Sequence, residues 1–147
     1  MKTLIKKLLI KSWLNKYEIT NYTINDDYTI DVDGDVSLSV CDLTEFPSYI
    51  QFGTVKGDFY CGFNRMTLLR GCPKKVEGSF NCTYNKLTTL EESPREIRGN
   101  FYCNNNKLTS LEGAPELVIN FYCSYNNTKF TKSDVNKVCK VKGEIYL

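Results

Sequence analysis

The chain states one phrase four times, beginning at Val55, Val76, Ile97 and Val118, each start 21 residues after the last. A fixed period of this length specifies stacked, nearly identical units, because one such unit cannot bury its own apolar face and must be covered by its neighbours. The fullest copy runs from Ile97 through Gly99, Phe101, Cys103, Asn106, Leu108 and Leu111 to Pro115. The copy before it places Val76, Gly78, Phe80, Cys82, Asn85, Leu87, Leu90 and Pro94 identically. A stack of this kind has a repeated surface in place of a single active cleft, so function is expected on that surface.

The repeat reaches beyond these four copies. Val32, Gly34, Val36, Leu38, Cys41, Leu43, Phe46 and Pro47 form a diverged copy, displaced by the two extra residues within Tyr49 to Thr54, and Val141, Gly143, Ile145 and Leu147 begin another. The whole chain of 147 residues therefore reads as one domain. Residues 1–20 are expected to form an N-terminal capping helix, residues 28–130 the repeat coils, and residues 131–147 a short helix and a last strand. From Val118 to Phe121 one residue and the glycine are missing, and Thr128 and Thr131 replace the leucines, so this coil is expected to be irregular.

Within V-x-G-x-F-x-C the apolar positions alternate, which predicts a single strand with one face inward and parallel partners in neighbouring coils. The glycine falls among the inward positions, where a bare backbone can approach the core. Asn64, Asn85, Asn106 and Asn126 follow each strand at one fixed place, with Cys41 standing for Asn in the first coil. An amide that donates and accepts can join the turn of its own coil to the next, so these four predict a structural asparagine ladder. Leu87, Leu90, Leu108 and Leu111 close the core on the return, which Pro73, Pro94 and Pro115 punctuate.

Several chemistries lose their usual carriers. Histidine is absent, and with it the commonest general base and every Ser-His or Cys-His pair. Cys61, Cys82, Cys103 and Cys123 recur at one repeat position where a small hydrophobe is wanted, and with no C-x-x-C spacing they read as stacked free thiols. Asp31-Val-Asp33-Gly-Asp35 departs from the calcium-loop pattern, since its glycine comes at the fourth place, and its acids are expected to blunt the first coil. A net charge of +2 gives no reason to expect nucleic acid. No catalytic residue, metal site or cofactor is assigned. No stretch approaches the roughly 20 apolar residues of a membrane span, and no signal-peptide core is present, so a cytoplasmic protein without a membrane partner is expected.

Outward from the strands point Asp33, Asp35 and Ser37, Lys56, Asp58 and Tyr60, and their equivalents. One column holds Tyr60, Asn81, Tyr102, Tyr122 and Tyr146. Tyrosine combines large contact area with a polar tip, which suits it to protein contacts. With Asp58, Arg98 and Asn100 beside it, this column is the expected partner-binding face. Residues 3–17 place Leu4, Ile5, Leu8, Leu9, Trp13, Leu14 and Tyr17 at helical spacing between lysines, as expected of a helix laid over the open end of the stack; the alternative for such a basic amphipathic helix is to lie on a membrane or another chain. A second short helix is expected over Thr131 to Val138, with Ser133 as its N-cap.

The segment Phe101-x-Cys103-x-x-Asn106-x-Leu108-x-x-Leu111 resembles the leucine-rich-repeat line, and Asn85-Lys-Leu87-Thr-Thr-Leu90 is similar to the second half of short bacterial repeats of that class. The phrasing of glycine, Phe-Tyr-Cys, Asn-Lys-Leu-Thr-Ser-Leu-Glu-Gly and Pro looks like repeat proteins of T4-like tailed bacteriophages. That likeness extends to Trp13-Leu-Asn-Lys-Tyr17 and Tyr22-Thr-Ile-Asn25. The resemblance implies a leucine-rich-repeat-like solenoid with a short parallel β-sheet on one face, mostly irregular returns and a capping α-helix. It also implies a non-enzymatic phage accessory protein in the host cytoplasm that binds and modulates or inhibits a host protein, through the sheet face. The alternative is a structural or assembly component of a virion. Neither the partner's identity nor the oligomeric state is given by the sequence.

Overall fold

Each coil contains two short strands where alternation predicts one, because the chain turns a corner at the glycine. In the computed structural model, which describes residues 2–147, the coils wind into a β-solenoid of about six turns. The first strand of each coil belongs to one parallel sheet: β2 (Ile30–Val32), β4 (Phe52–Val55), β6 (Lys75–Val76), β8 (Glu96–Ile97), β10 (Leu117–Val118) and β12 (Lys140–Val141). The second strands form another parallel sheet: β3 (Val36–Ser37), β5 (Phe59–Tyr60), β7 (Phe80–Asn81), β9 (Phe101–Tyr102), β11 (Phe121–Tyr122) and β13 (Ile145–Tyr146). A first strand, β1 (Tyr22–Ile24), pairs antiparallel with β2. The expected single sheet face is thus corrected to two sheets meeting at a corner, while the returns between β5 and β6, β7 and β8, and β9 and β10 are irregular as expected.

Register follows the repeat. Val32 lies opposite Val55, Val55 opposite Val76, and Val76 opposite Ile97 in the first sheet. In the second, Val36, Phe59, Phe80, Phe101, Phe121 and Ile145 stand in one row. This row is the spine of the core: Phe59 stacks on Phe80 with centroids 5.5 Å apart, and Phe80 on Phe101 at 5.9 Å. All four repeat phenylalanines are fully buried, as are Cys61, Cys82, Cys103, Leu87, Leu90 and Leu108.

The corner explains the glycine differently from the expected close approach to the core. A Cβ on Gly78 would overlap the Asp58 carboxylate, and one on Gly57, Gly99 or Gly143 would overlap Asp35, Ser79 or Asn120 respectively. The empty side of each glycine therefore admits a polar side chain from the preceding coil. The shortened copy keeps its register with one residue fewer: the Ile119 N–H donates to the Gly99 carbonyl at 2.9 Å, and Phe121 remains opposite Phe101. Its irregularity is confined to the return, where α2 (Lys132–Val138) replaces the leucine segment and adds Val135 to the same core as Phe130. The N-cap of α2 is Thr131, not Ser133. The Thr131 hydroxyl accepts from the Asp134 N–H at 3.2 Å and the Asp134 carboxylate accepts from the Thr131 N–H at 2.8 Å, a reciprocal capping box. Those bonds to Thr131 hold the Asp134 carboxyl below its ordinary pKa.

The N-terminal helix α1 (Lys2–Lys16) lies over the first coil, but only its second half reaches the core. Ile10, Trp13 and Leu14 are buried, with the Trp13 ring edge-on to Phe46 at 5.8 Å and Phe52 at 6.3 Å. Leu4, Ile5, Leu8 and Leu9, expected on the same packed face, are exposed.

If the glycines exist to admit the preceding side chain, Gly78→Ala and Gly99→Ala should each destabilise the fold by on the order of 1–3 kcal/mol, through overpacking and a displaced hydrogen bond. Denaturant midpoints would show this. The exposed substitution Lys107→Ala, in a return, should leave the midpoint unchanged.

Candidate functional site

Two ladders of side-chain hydrogen bonds frame the outer surface of the second sheet. On one side run the four asparagines. Asn64 Oδ1 accepts from the N–H groups of Cys41 and Leu43, both at 3.0 Å, and its Nδ2 donates to the carbonyls of Leu38 and Cys61 at 2.8 and 3.0 Å. Asn85 takes Met66 N–H and reaches the Cys61 and Cys82 carbonyls. Asn106 takes Leu87 N–H and reaches Cys82 and Cys103, and Asn126 takes Leu108 N–H and reaches Cys103 and Cys123. Each asparagine thus ties its own coil to the preceding one. Among the described residues no buried side-chain nitrogen or oxygen lacks a partner, as expected where desolvation makes an unpaired amide costly.

The second ladder occupies the corner and was not legible as such. Asp35 accepts from the Asp58 N–H at 2.7 Å, Asp58 from Ser79 at 2.6 Å, and Ser79 from Asn100 at 3.0 Å. Asn100 then accepts from Asn120 at 3.1 Å, and Asn120 from Glu144 at 2.7 Å. Asp58 and Asn100, expected as contact residues, are therefore half-buried structural acceptors. Arg98 stands on the first-sheet side of the corner, with its guanidinium 3.8 Å from Glu77, away from the tyrosines. The sequence signal for this ladder was the short polar residue after each glycine, whose meaning depends on the corner.

Between the ladders lies the tyrosine column, in two pieces. Tyr102, Tyr122 and Tyr146 stack face to face, with centroids 4.5 and 4.4 Å apart. Tyr60 is separated from them by Asn81, whose Oδ1 turns to the Thr83 N–H at 3.0 Å and hydroxyl at 2.8 Å. The Tyr60 hydroxyl donates to Asp58 Oδ2 at 2.6 Å. That bond, aided by partial burial and the nearby acids, pushes the Tyr60 phenol up to about 12. Because the stacked rings cover one another's faces, the column offers ring edges and hydroxyls.

A second exposed column stands beside the first, at the residue immediately before each ladder asparagine. Phe63, Tyr84 and Tyr125 are 55 %, 49 % and 82 % exposed, and Val40 in the first coil 78 %. Their backbones are left-handed, with φ of 55°, 52°, 56° and 58°; Asn105 fills the same place at 57°. Asparagine tolerates this region, but aromatic and β-branched residues rarely occupy it and are strained there. Phe63 and Tyr84 stack at 4.5 Å. The pattern was visible as an aromatic before asparagine in three copies, but strand alternation gave it no face. The two columns together make a broad aromatic corner along the stack.

Other chemistry is sparse here. The seven cysteines are free thiols, and Cys72 and Cys139 join the four repeat cysteines in the core. Burial pushes the thiols of Cys72, Cys82 and Cys103 well above their ordinary pKa, and those of Cys123 and Cys139 up to about 11, so all are poor nucleophiles. Comparison with protein families, curated proteins and solved structures returns no match.

Replacing Asn85 or Asn106 by Ala should strand buried turn groups and cost on the order of 1–3 kcal/mol in denaturant unfolding. The Tyr60 phenol gives a pH signature. Its folded pKa lies above the ordinary value of about 10, so the stability it contributes is complete below pH ~10 and is lost as pH rises toward 12. Burial and its tyrosine neighbours also raise the Tyr122 phenol, so phenolate absorbance should show late-titrating tyrosines, of which the one near 12 disappears in Tyr60→Phe.

Proposed function

We propose that this chain is a non-enzymatic interaction module that binds another protein across the aromatic corner. The observation carrying this reading is the exposed column of Val40, Phe63, Tyr84 and Tyr125 in left-handed backbone. Asparagine or glycine would serve the turn better, and these side chains contribute little to the core. Large aromatics kept where the backbone disfavours them and water surrounds them match the composition of protein contact surfaces. The adjacent tyrosine edges and hydroxyls extend the surface to one with both apolar area and polar tips.

Resemblance narrows the proposal further. The Phe-x-Cys-x-x-Asn-x-Leu line and its asparagine ladder support a leucine-rich-repeat-type coil, modified by the second strand after the corner. The phage-like phrasing supports an accessory protein that meets a host protein in the host cytoplasm and modulates or inhibits it. A virion or assembly role would use the same surface as a lattice contact.

The test pairs stability with binding. Phe63→Asn with Tyr125→Asn relieves two strained positions, so unfolding stability should stay level or rise by up to about 1 kcal/mol. Capture of the protein's partner from phage-infected host lysate should fall strongly in the same variant, as when central aromatics are truncated. Lys74→Ala with Glu91→Ala, on the return side, should bind normally. Loss of capture by the return-side pair alone would move the site off the aromatic corner, while recovery of virion proteins in place of a host protein would select the assembly role.

A further inference from the structure

The exposed half of α1 is a second, independent surface. Leu4, Ile5, Leu8 and Leu9 are each between 45 % and 64 % exposed, the largest cluster of exposed aliphatic side chains on one element. At helical spacing they form a strip on the side of α1 opposite Ile10, Trp13 and Leu14, so the helix is apolar on two faces. Lysines flank the outward strip: Lys7 and Lys11 on one edge and Lys2 on the other, while Lys16 lies over the Tyr17 ring at 5.1 Å. No acidic residue occurs within Lys2–Lys16. Among the described residues, no ion pair engages a lysine of α1. Lys6, on the packed side, lies over the Tyr28 ring at 4.3 Å.

An apolar strip flanked by lysines on a helix with no acidic residue is the pattern of a helix lying in a membrane interface, with aliphatic side chains among acyl chains and lysines at the headgroups. A second copy of the same helix would fit the apolar strip but would crowd lysines of both chains with no carboxylate to balance them. An anionic lipid surface satisfies both requirements. No helix among the described residues is long and apolar enough to cross a membrane, so the contact would be peripheral. We propose that α1 works on both sides at once: its packed face seals the first coil, and its outward strip seats the solenoid on an anionic lipid surface. The sequence sets cap against membrane contact as rivals; the opposite placement of the two faces makes them compatible, and the expectation of no membrane partner is revised accordingly. This surface is separate from the aromatic corner, and its test does not depend on that reading.

The experiment is flotation of the full chain with phosphatidylcholine vesicles, with and without phosphatidylglycerol. Binding is expected only to the anionic vesicles and should weaken as salt is raised. Leu4→Gln with Leu8→Gln, exposed positions whose loss should leave the far-ultraviolet circular dichroism unchanged, should lower the partition coefficient about tenfold or more. Lys7→Gln and Lys11→Gln should each lower it about fivefold, from roughly 1 kcal/mol per lysine at such a surface. Trp13, the single tryptophan, should keep its emission on binding, because the packed face stays docked. Equal binding to neutral vesicles, binding to neither, or a Trp13 shift showing that the helix has left the coil would each overturn the proposal. So would concentration-dependent dimerisation, abolished by the Leu4/Leu8 variant, without vesicle binding.

Discussion

Parallel pairing at one strand spacing is the constraint on which the molecule depends. Adjacent strands must lie roughly 5 Å apart, so any residue type placed at a fixed point of the 21-residue unit meets its own kind in the next coil. Phenylalanine then becomes a stack, tyrosine a column and asparagine a ladder. The same constraint brings the polar side chain at one corner against the backbone of the next, leaving no room there for a Cβ. The glycine of the repeat is thus a consequence of stacking distance, and its requirement is set by a residue 20 or more positions away.

The ladders also fix the shape of the surface. Turn backbone groups that would otherwise need water are taken up by Asn64, Asn85, Asn106 and Asn126, which frees the preceding residue to carry whatever side chain the outside requires. That residue must accept left-handed φ, and the ladder supports Phe63, Tyr84 and Tyr125 there despite the strain. Core and surface are therefore separable within one turn: the asparagine holds the coil and its neighbour faces the solvent.

The stack, its inward phenylalanines and cysteines and the asparagine positions were legible because each depends on local period and burial. The corner was hidden because V-x-G-x-F alternates in the same way whether or not the chain bends at the glycine. An unseen corner put Arg98 on the tyrosine face, although it pairs with Glu77, and hid the ladder role of Asp58 and Asn100, which also bond the Tyr60 and Tyr102 hydroxyls. The helix showed a related ambiguity. Leu4, Ile5, Leu8 and Leu9 share helical spacing with Trp13 and Leu14 but occupy the opposite side, and spacing counted along the chain without assigning faces merges the two strips. Ser133 has the residue type of a cap, but Asp134 three residues on from Thr131 carries the capping-box signal that puts the cap at Thr131.

The two ladders have opposite polarity. Each asparagine takes its backbone donor from the coil before it, whereas each corner acceptor, Asp35, Asp58, Ser79, Asn100 or Asn120, takes its donor from the coil after it. Separating any two neighbours among the first five coils therefore strands groups on both sides of the cut at a similar penalty, while of the two ladders only the corner one crosses the last interface. In a one-dimensional chain of units, strong and even coupling of this kind favours unfolding as a single cooperative event over progressive fraying. It also makes the whole coil the natural unit of evolutionary change: adding or deleting 21 residues restores both ladders at the junction, while any shorter insertion on the sheet side breaks them.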